Sequence, residues 1–125
     1  LDYAKSLSAL TEESTFFKLH TCPWEVVTEI STYFRLFKIH DTFEHYSFHT
    51  TFDLVYYDAF GFRVQPELWQ KEIFEKLVKL INIGGVLVTY CAKGEVKRIL
   101  KTLGMHVESL AGPPCKREMI RAIRQ

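Results

Sequence analysis

The sequence predicts an α/β fold in which a mostly parallel sheet ends in an antiparallel strand. Two apolar runs, residues 52–58 and 86–90, are rich in β-branched and aromatic side chains, as is typical of parallel strands covered on both faces. Between them, apolar residues recur at helical spacing from Pro66 to Ile81, ahead of the pair Gly84-Gly85 that is expected to stop the helix. A strand, a helix and a second strand in this order indicate a helical crossover within a parallel sheet.

The elements before this unit are assigned from their start and stop signals. Residues 2–10 suit a helix, and a second short helix begins at Thr11 and is broken at Pro23, which cannot continue a helix. Residues 34–39 are expected to form the first strand of the parallel sheet. The polar and aromatic segment 42–51 is expected to be a short helix or a loop.

The end of the chain predicts the antiparallel strand. A helix over residues 93–103 stops at Gly104, and strands are expected at 106–110 and 119–123. The turn 112–114 between these strands is too short for a helical crossover. The two strands should therefore be antiparallel neighbours.

Length and composition favour one folded domain in the cytoplasm. The chain has 125 residues, of which 47% are hydrophobic and 25% charged, and these values argue against disorder. No apolar run approaches the roughly 20 residues that span a bilayer, so no membrane segment is expected. Cys22, Cys91 and Cys115 are far apart and odd in number, which argues against a disulfide framework and suits a reducing compartment.

The charge is distributed unevenly along the chain. Residues 1–91 carry 8 Lys/Arg against 12 Asp/Glu, whereas residues 92–125 carry 8 against 3, for a net charge of +1 overall. A basic segment of this kind can face phosphates, and a solvated basic surface explains the pattern equally well. The cations concerned are Lys93, Lys97, Arg98, Lys101, Lys116, Arg117, Arg121 and Arg124.

Acidic residues follow two of the predicted strands, Asp41 after 34–39 and Asp58 after 52–58. Ligands of open α/β sheets bind at the carboxyl ends of the parallel strands. A carboxylate at this edge of the sheet, beside Phe60, Phe62 and Trp69, is suited to accept an amine proton while the aromatic rings stack on a flipped base. The alternative is that Asp58 caps a turn and the aromatic rings fill a core under the loop. The histidines of 40–49 fit no established ligand spacing, so no metal site is expected.

The residues around Asp58 resemble the core motif of the MnmC-like methyltransferases. The motif is carried by Asp58-Ala59-Phe60 followed by Gln65-Pro66-Glu67-Leu68-Trp69, and further similar segments are 22–25, 84–90, 93–98 and 112–119. These enzymes use S-adenosylmethionine to methylate the aminomethyl group of 5-aminomethyl-2-thiouridine at the wobble position of tRNA. The resemblance therefore implies a tRNA-modifying methyltransferase that binds S-adenosylmethionine and tRNA.

The same resemblance implies a fold and a set of site residues. The fold is a Rossmann-like class I methyltransferase three-layer sandwich, of which residues 1–125 form a partial domain that lacks the N-terminal strands. Asp58, Ala59 and Phe60 are the expected catalytic residues, and Asp41, near the adenine, and Asp58 are the expected cofactor-binding residues. The expected substrate-binding residues are Phe62, Arg63, Pro66, Glu67, Trp69, Lys93, Lys116 and Arg117.

The sequence departs from the family pattern in two places. Many members have Ala-Pro where this chain has Gly61-Phe62, which predicts a more flexible loop. No glycine precedes Gly61, so the glycine-rich turn that approaches the cofactor has no counterpart and the chain alone is expected to be inactive. Without that turn, a nicotinamide-dependent oxidoreductase and a non-catalytic binding module remain as alternatives.

The expected absence of the N-terminal strands has a structural consequence for the strand 52–58. Its apolar edge would have no neighbour. The sequence therefore predicts either that this edge pairs with another copy, giving a homo-oligomer, or that it pairs directly with the strand 34–39.

Overall fold

The computed structural model describes residues 10–112, 114 and 118–125, with side chains from residue 14 onward. The chain divides into two compact units, residues 1–46 and 47–125. The helix expected over 2–10 lies, except for Leu10, outside the described residues. Cys115 and the expected substrate-binding residues Lys116 and Arg117 lie outside them as well.

The first unit contains a helix and a two-stranded hairpin. Helix α1 spans Leu10–Thr21, strand β1 spans Thr28–Ser31 and strand β2 spans Phe34–Leu36. The two strands pair antiparallel, with Ser31 opposite Phe34 across a two-residue turn. The helix broken at Pro23 is thus confirmed as a helix that ends at Thr21.

The predicted role of residues 34–39 as the first strand of the main sheet is wrong. β2 pairs with β1, immediately before it in the chain, and the two form a sheet of their own. A two-residue turn brings β1 and β2 together with almost no loop-closure cost, which a distant partner strand would incur. Direct pairing of 34–39 with the strand 52–58, expected as one way to cover an open edge, is also wrong.

The second unit has α/β architecture and contains the remaining elements of the described chain. In chain order these are strand β3 (Phe52–Tyr56), a 3-10 helix (Pro66–Trp69), helix α2 (Lys71–Leu80), strand β4 (Ile81–Thr89), helix α3 (Gly94–Thr102), strand β5 (Met105–Ala111) and strand β6 (Glu118–Arg124). The predicted alternation of strands and helices is confirmed.

The four strands form one sheet in the order β3-β4-β6-β5. β3 is parallel to β4, and β6 is antiparallel to both of its neighbours. Three strands therefore run in one direction and the last runs against them, as the sequence predicts. β3 lies at one edge of this sheet, and the pairing of its outer edge with a second copy stays a prediction.

The connection between β3 and β4 differs from the single helix expected over 66–81. The 3-10 helix ends at Trp69, Gln70 is extended with φ −82° and ψ 162°, and α2 begins at Lys71. The physical reason for the break is the buried indole of Trp69, whose Nε1 donates to the Phe60 carbonyl and holds the first turn against the loop. Ile81 belongs to β4.

Gly84 and Gly85 were expected to stop the helix, but they lie inside β4. The register steps from Phe52 opposite Ile81 to Leu54 opposite Val86, so β4 bulges between these pairs. Gly84 has a positive φ of 79°. A Cβ on Gly85 would lie 2.7 Å from Ile81 Cγ2 and 2.8 Å from the Asn82 carbonyl oxygen. The bulge therefore requires glycine at both positions.

The core lies between the sheet and the two helices α2 and α3. The helices contact each other, α2 contacts β4 and α3 contacts β5, so both cover the same face. Fully buried side chains from both layers meet here, namely Phe74, Val96, Leu100, Leu87, Ile120 and Ala122. Burial of a large side chain of this kind contributes about 1.5–3 kcal/mol, so this layer holds the second unit together.

Replacing Gly85 by Ala should destabilise the protein by about 1–3 kcal/mol, because the new methyl group overlaps the Ile81 side chain and the backbone of the bulge. The matched control is Gly61→Ala, since nothing lies within 4 Å of a Cβ at Gly61. The control should stay within about 0.5 kcal/mol of the wild type. Urea denaturation of the three proteins measures the difference, and equal stabilities would mean that the bulge tolerates a side chain.

Candidate active site

The site lies where β3 and β4 end together. The two strands are parallel, with Tyr56 opposite Val88, and the pairing continues past β3 because the Tyr57 amide donates to the Val88 carbonyl at 2.8 Å. Asp58 follows directly and is exposed, and Tyr90 is the first residue after β4. The carboxyl ends of two neighbouring parallel strands thus bring a carboxylate and a phenol to the same edge of the sheet.

Two adjacent cavities open at this edge. The larger has a volume of about 430 Å³ and the smaller about 330 Å³, within the range of small-molecule sites. Asp58 and Tyr90 line both cavities. The larger is completed by Ala59, Phe60, Gly61 and Gln65, and the smaller by Tyr56, Tyr57, Val88, Thr89 and Met119.

Three aromatic side chains fix the backbone of the loop that follows Asp58. The Tyr90 hydroxyl donates to the Ala59 carbonyl, the Trp69 indole N–H donates to the Phe60 carbonyl at 2.8 Å, and the Tyr57 hydroxyl donates to the Leu68 carbonyl at 2.6 Å. Each such bond contributes about 0.5–1.5 kcal/mol net. We call these three side chains the ring clamp.

The rings of the clamp also pack on one another. Trp69 meets Tyr57 edge-on at 5.2 Å between centroids and Tyr90 at 6.0 Å. Tyr57 in turn meets Phe74 of α2 at 5.8 Å. Edge-to-face pairs of this kind add about 0.5–1.5 kcal/mol each beyond their burial. The loop is therefore tied to the hydrophobic core of the second unit.

The three residues expected to be catalytic lie together in the structure. Asp58, Ala59 and Phe60 all line the larger cavity, and Phe60 is 69% exposed. Among the described residues, the Asp58 carboxylate accepts no hydrogen bond, so its oxygens are open to a ligand. The catalytic role itself stays a prediction.

Trp69 does not lie where the sequence predicts. It was expected to form part of a base-facing wall with Phe60 and Phe62, but its side chain is only 1% exposed. Because its ring packs among Tyr57, Phe74 and Tyr90, it fills the core under the loop. The alternative interpretation of the aromatic residues is thus correct for Trp69, while Phe60 remains at the surface.

Lys93 and Phe62 are brought together from separate segments. Lys93 lies at the start of α3, and its Nζ is 3.9 Å from the centroid of the half-buried Phe62 ring. An exposed cation–π contact of this kind contributes about 0.5–1 kcal/mol. Of the other expected substrate-binding residues, Arg63, Pro66 and Glu67 are exposed but line neither of the two cavities.

Asp41 lies in the first unit, beyond the hairpin. Its carboxylate accepts hydrogen bonds from the Thr42 amide at 2.7 Å and from His45 Nδ1 at 2.9 Å. Its predicted cofactor role rested on a position at the end of a main-sheet strand, and that premise is wrong because β2 belongs to the hairpin. The described residues contain no group of three or more His, Cys, Asp or Glu side chains placed to hold a metal ion.

Tyr90 is the site residue that sequence reasoning missed. Burial raises the pKa of Tyr90 above its ordinary value, and the negative charge of Asp58 and the neighbouring Cys91 raise it further. The phenol therefore stays protonated and remains a hydrogen-bond donor at neutral pH. The rule that singles out Asp58, a polar group just after a parallel strand, applies equally to Tyr90 after β4.

Several cations of the basic segment are engaged within the domain. Lys97 Nζ lies 2.9 Å from a Glu118 carboxylate oxygen and 2.8 Å from the Ser109 hydroxyl. Arg121 donates to Glu108 at 2.6 Å, and this lowers the pKa of that carboxyl group. The Arg124 guanidinium donates to the Ile81 carbonyl. Lys93, Arg98 and Lys101 are exposed along α3 and at its start.

The model of a family described as S-adenosyl-L-methionine-dependent methyltransferase matches residues 29–125. The chain belongs to this family. The match covers the ends of β3 and β4 and the loop after Asp58. It favours a methyltransferase over a nicotinamide-dependent oxidoreductase. The family's cofactor is the one that the sequence predicts.

Curated relatives and a solved structure point to one branch of this family. The tRNA 5-methylaminomethyl-2-thiouridine biosynthesis bifunctional protein MnmC of Pseudoalteromonas atlantica is 37% identical over 57% of this chain. The protein of the same name from Acinetobacter baylyi is 32% identical over 67% of the chain. The chain spans only 10% and 14% of their respective lengths.

A similar solved structure is that of MNMC2 from Aquifex aeolicus, at 26% identity and a TM-score of 0.63. The similarity covers 71% of this chain and 30% of that one. The α/β fold predicted from the sequence agrees with this structure. Among the described helices of the present chain, none is long and apolar enough to cross a membrane.

The raised pKa of Tyr90 predicts how stability responds to alkaline pH. Above pH 10 the unfolded chain loses this proton while the folded protein keeps it, so the free energy of unfolding falls as pH rises from 10 through the native pKa. Urea denaturation of the wild type should therefore lose stability more steeply above pH 10 than Tyr90→Phe. Tyr33→Phe, at a position 98% exposed, is the control for loss of one phenol and should follow the wild type. Equal slopes for Tyr90→Phe and the wild type would contradict the shift.

Proposed function

We propose that the protein containing this chain transfers a methyl group from S-adenosylmethionine to the aminomethyl nitrogen of 5-aminomethyl-2-thiouridine at the tRNA wobble position. Family membership supports the methyl donor, and the names of the similar MnmC proteins support the tRNA base. The single observation that carries the proposal is the placement of Asp58. Its carboxylate is exposed at the meeting point of two cavities, and no hydrogen bond from the described residues occupies it.

The chemistry requires an amine that is held in place and uncharged. S-adenosylmethionine, when bound, would supply an electrophilic methyl group and leave as S-adenosylhomocysteine. A primary amine is mostly protonated near neutral pH and must lose one proton to solvent before its nitrogen can attack. The Asp58 carboxylate accepts a hydrogen bond from the amine and holds the nitrogen at the cavity mouth. Such placement supplies most of the rate acceleration in this mechanism.

The described residues fit the reactive end of the cofactor. The smaller cavity is lined largely by apolar and aromatic residues beside Asp58, and one of them is Met119, whose side chain carries a polarisable sulfur. These groups suit a methyl group and a sulfur atom. No glycine precedes Gly61 in the chain, so these residues hold one side of the cofactor and the chain alone is proposed to be inactive.

The substrate side is proposed to lie along Phe60, Phe62 and Lys93. Phe60 presents an exposed ring at the larger cavity, which suits stacking on an unpaired base. The Lys93 ammonium above the Phe62 ring places a positive charge for a nucleotide phosphate. We propose that the tRNA is also contacted by the other expected substrate-binding residues, Arg63, Pro66, Glu67, Lys116 and Arg117. The reaction is proposed to take place in the cytoplasm.

Replacing Asp58 by Asn should lower the kcat of methyl transfer about 10- to 100-fold, because the amide is a poorer acceptor and misplaces the amine. The assay uses the full-length natural protein, labelled S-adenosylmethionine and tRNA that carries 5-aminomethyl-2-thiouridine. The control is Asp53→Asn, near the start of β3 and therefore away from Asp58, which follows the other end of that strand. The Asp53 carboxylate accepts a hydrogen bond from the Asn82 amide at 2.8 Å. The control should keep kcat within about twofold of the wild type.

Calorimetry with S-adenosylhomocysteine on the same proteins separates binding from chemistry. Wild type and both variants should bind it, and the 125-residue chain alone should bind more weakly or not at all. Absence of binding by the full-length protein would reject the proposed cofactor. Transfer by Asp58→Asn at the wild-type rate would reject the role of Asp58.

The exposed cations of α3 predict a salt dependence of tRNA binding. Replacing both Arg98 and Lys101 by Ala should reduce the slope of log Kd against log salt by about 1.5, since each phosphate contact contributes roughly 0.7–0.9. The control replaces Lys71 and Lys79, which are exposed on α2, and should keep the wild-type slope. Filter binding of tRNA at several salt concentrations measures both. An unchanged slope in the α3 variant would mean that Arg98 and Lys101 belong to a solvated basic surface that does not contact tRNA phosphates.

A further inference from the structure

We propose that Tyr90 is a positioning residue for methyl transfer, whose hydroxyl holds the Ala59 peptide and thereby fixes Asp58 for the acceptor amine. The inference rests on the proposed function. It concerns a side chain that lines both cavities and donates its hydroxyl hydrogen to the Ala59 carbonyl. Asp58 is the residue that acts on the amine, and Tyr90 acts through it.

Asp58 lies between two anchored points of the backbone. On one side, the Tyr57 amide donates to the Val88 carbonyl at 2.8 Å and continues the pairing of β3 with β4. On the other side, Tyr90 holds the Ala59 carbonyl. Because a peptide group is planar, fixing one carbonyl oxygen restrains the orientation of the whole unit from Ala59 to Phe60. Asp58 thus lies in a short segment whose two ends are anchored by hydrogen bonds.

The Tyr90 ring is itself held in place. It follows β4 directly, and the Trp69 ring packs against it edge-on at 6.0 Å between centroids. The Trp69 indole N–H donates to the Phe60 carbonyl, so the next peptide group is restrained as well. The hydroxyl of Tyr90 is therefore presented by a half-buried ring that packs on the buried Trp69 side chain, and preorganised sites require groups held in this way.

The direction of the hydrogen bond matters for the chemistry. Burial and the charge of Asp58 keep the phenol protonated, so Tyr90 is a donor, and it donates to a backbone carbonyl. The Asp58 carboxylate, which lies close enough to perturb this phenol, is left as an acceptor. A phenol that donated to the carboxylate would compete with the amine for it. The observed arrangement thus orients Asp58 without occupying it.

Tyr90→Phe removes the hydroxyl and keeps the ring. In the full-length natural protein, kcat for methylation of tRNA carrying 5-aminomethyl-2-thiouridine should fall about tenfold or more, while the KM values for cofactor and tRNA change less than about twofold. The control is Val96→Ala, at a fully buried position of α3 that lines neither cavity. It should lower the melting temperature at least as much, because it removes buried methyl groups, and it should lower kcat much less.

A merely structural role for Tyr90 predicts a different result. In that case both variants would lose stability and activity in the same proportion, and this outcome would overturn the inference. A rise in KM with unchanged kcat would also overturn it, because Tyr90 would then serve binding alone.

A second measurement does not depend on activity. The ¹⁵N order parameter of the Asp58 amide in this chain should fall from about 0.85 to below about 0.6 in Tyr90→Phe and stay near the wild-type value in Val96→Ala. An Asp58 amide that remains rigid in Tyr90→Phe overturns the inference whatever the activity. Absence of methyl transfer by the wild-type protein would instead reject the proposed function, and the order parameter would still decide whether Tyr90 positions Asp58.

Discussion

The site depends on the parallel pairing of β3 with β4. That pairing sets Tyr56 opposite Val88 and continues through the Tyr57 amide, so both strands end at the same level. Asp58 and Tyr90 share two cavities only because of this alignment. The bulge at Gly84 and Gly85 is part of the same constraint, since it adjusts the register between the start of the two strands and their ends. A shift in that register would separate the carboxylate from the phenol.

Much of the second unit could be predicted because its signals are local. The apolar runs that became β3 and β4, and the short turn that makes β6 antiparallel to β5, are visible in the sequence itself. The partner of a strand is not visible in this way. Residues 34–39 show the same pattern whether they join the main sheet or a hairpin, and β1 lies closest along the chain. The break at Gln70 was missed for a related reason, since helical spacing of apolar residues continues through it.

The candidate site was only partly predictable. Asp58 follows a clear strand, so its place at the sheet edge could be inferred from the run before it. Tyr90 follows an equally clear strand, but an aromatic residue after an apolar run looks like its last member. Trp69 shows the converse, because a sequence pattern does not distinguish a ring that faces a ligand from one that is 1% exposed in the core. Which ring donates to which carbonyl is set by tertiary packing alone.

A more flexible loop was expected at Gly61-Phe62 from the resemblance to the MnmC-like methyltransferases. In the structure, the amides of Val64 and Gln65 both donate to the Gly61 carbonyl, at 2.8 and 3.0 Å, and close a turn there. The ring clamp holds the carbonyls of Ala59, Phe60 and Leu68 on either side. Hydrogen bonds to the loop's own carbonyls thus restrain its backbone in the absence of a proline at Gly61-Phe62. Because these donors bond to backbone carbonyls, the Asp58 carboxylate is left without a hydrogen bond from the described residues.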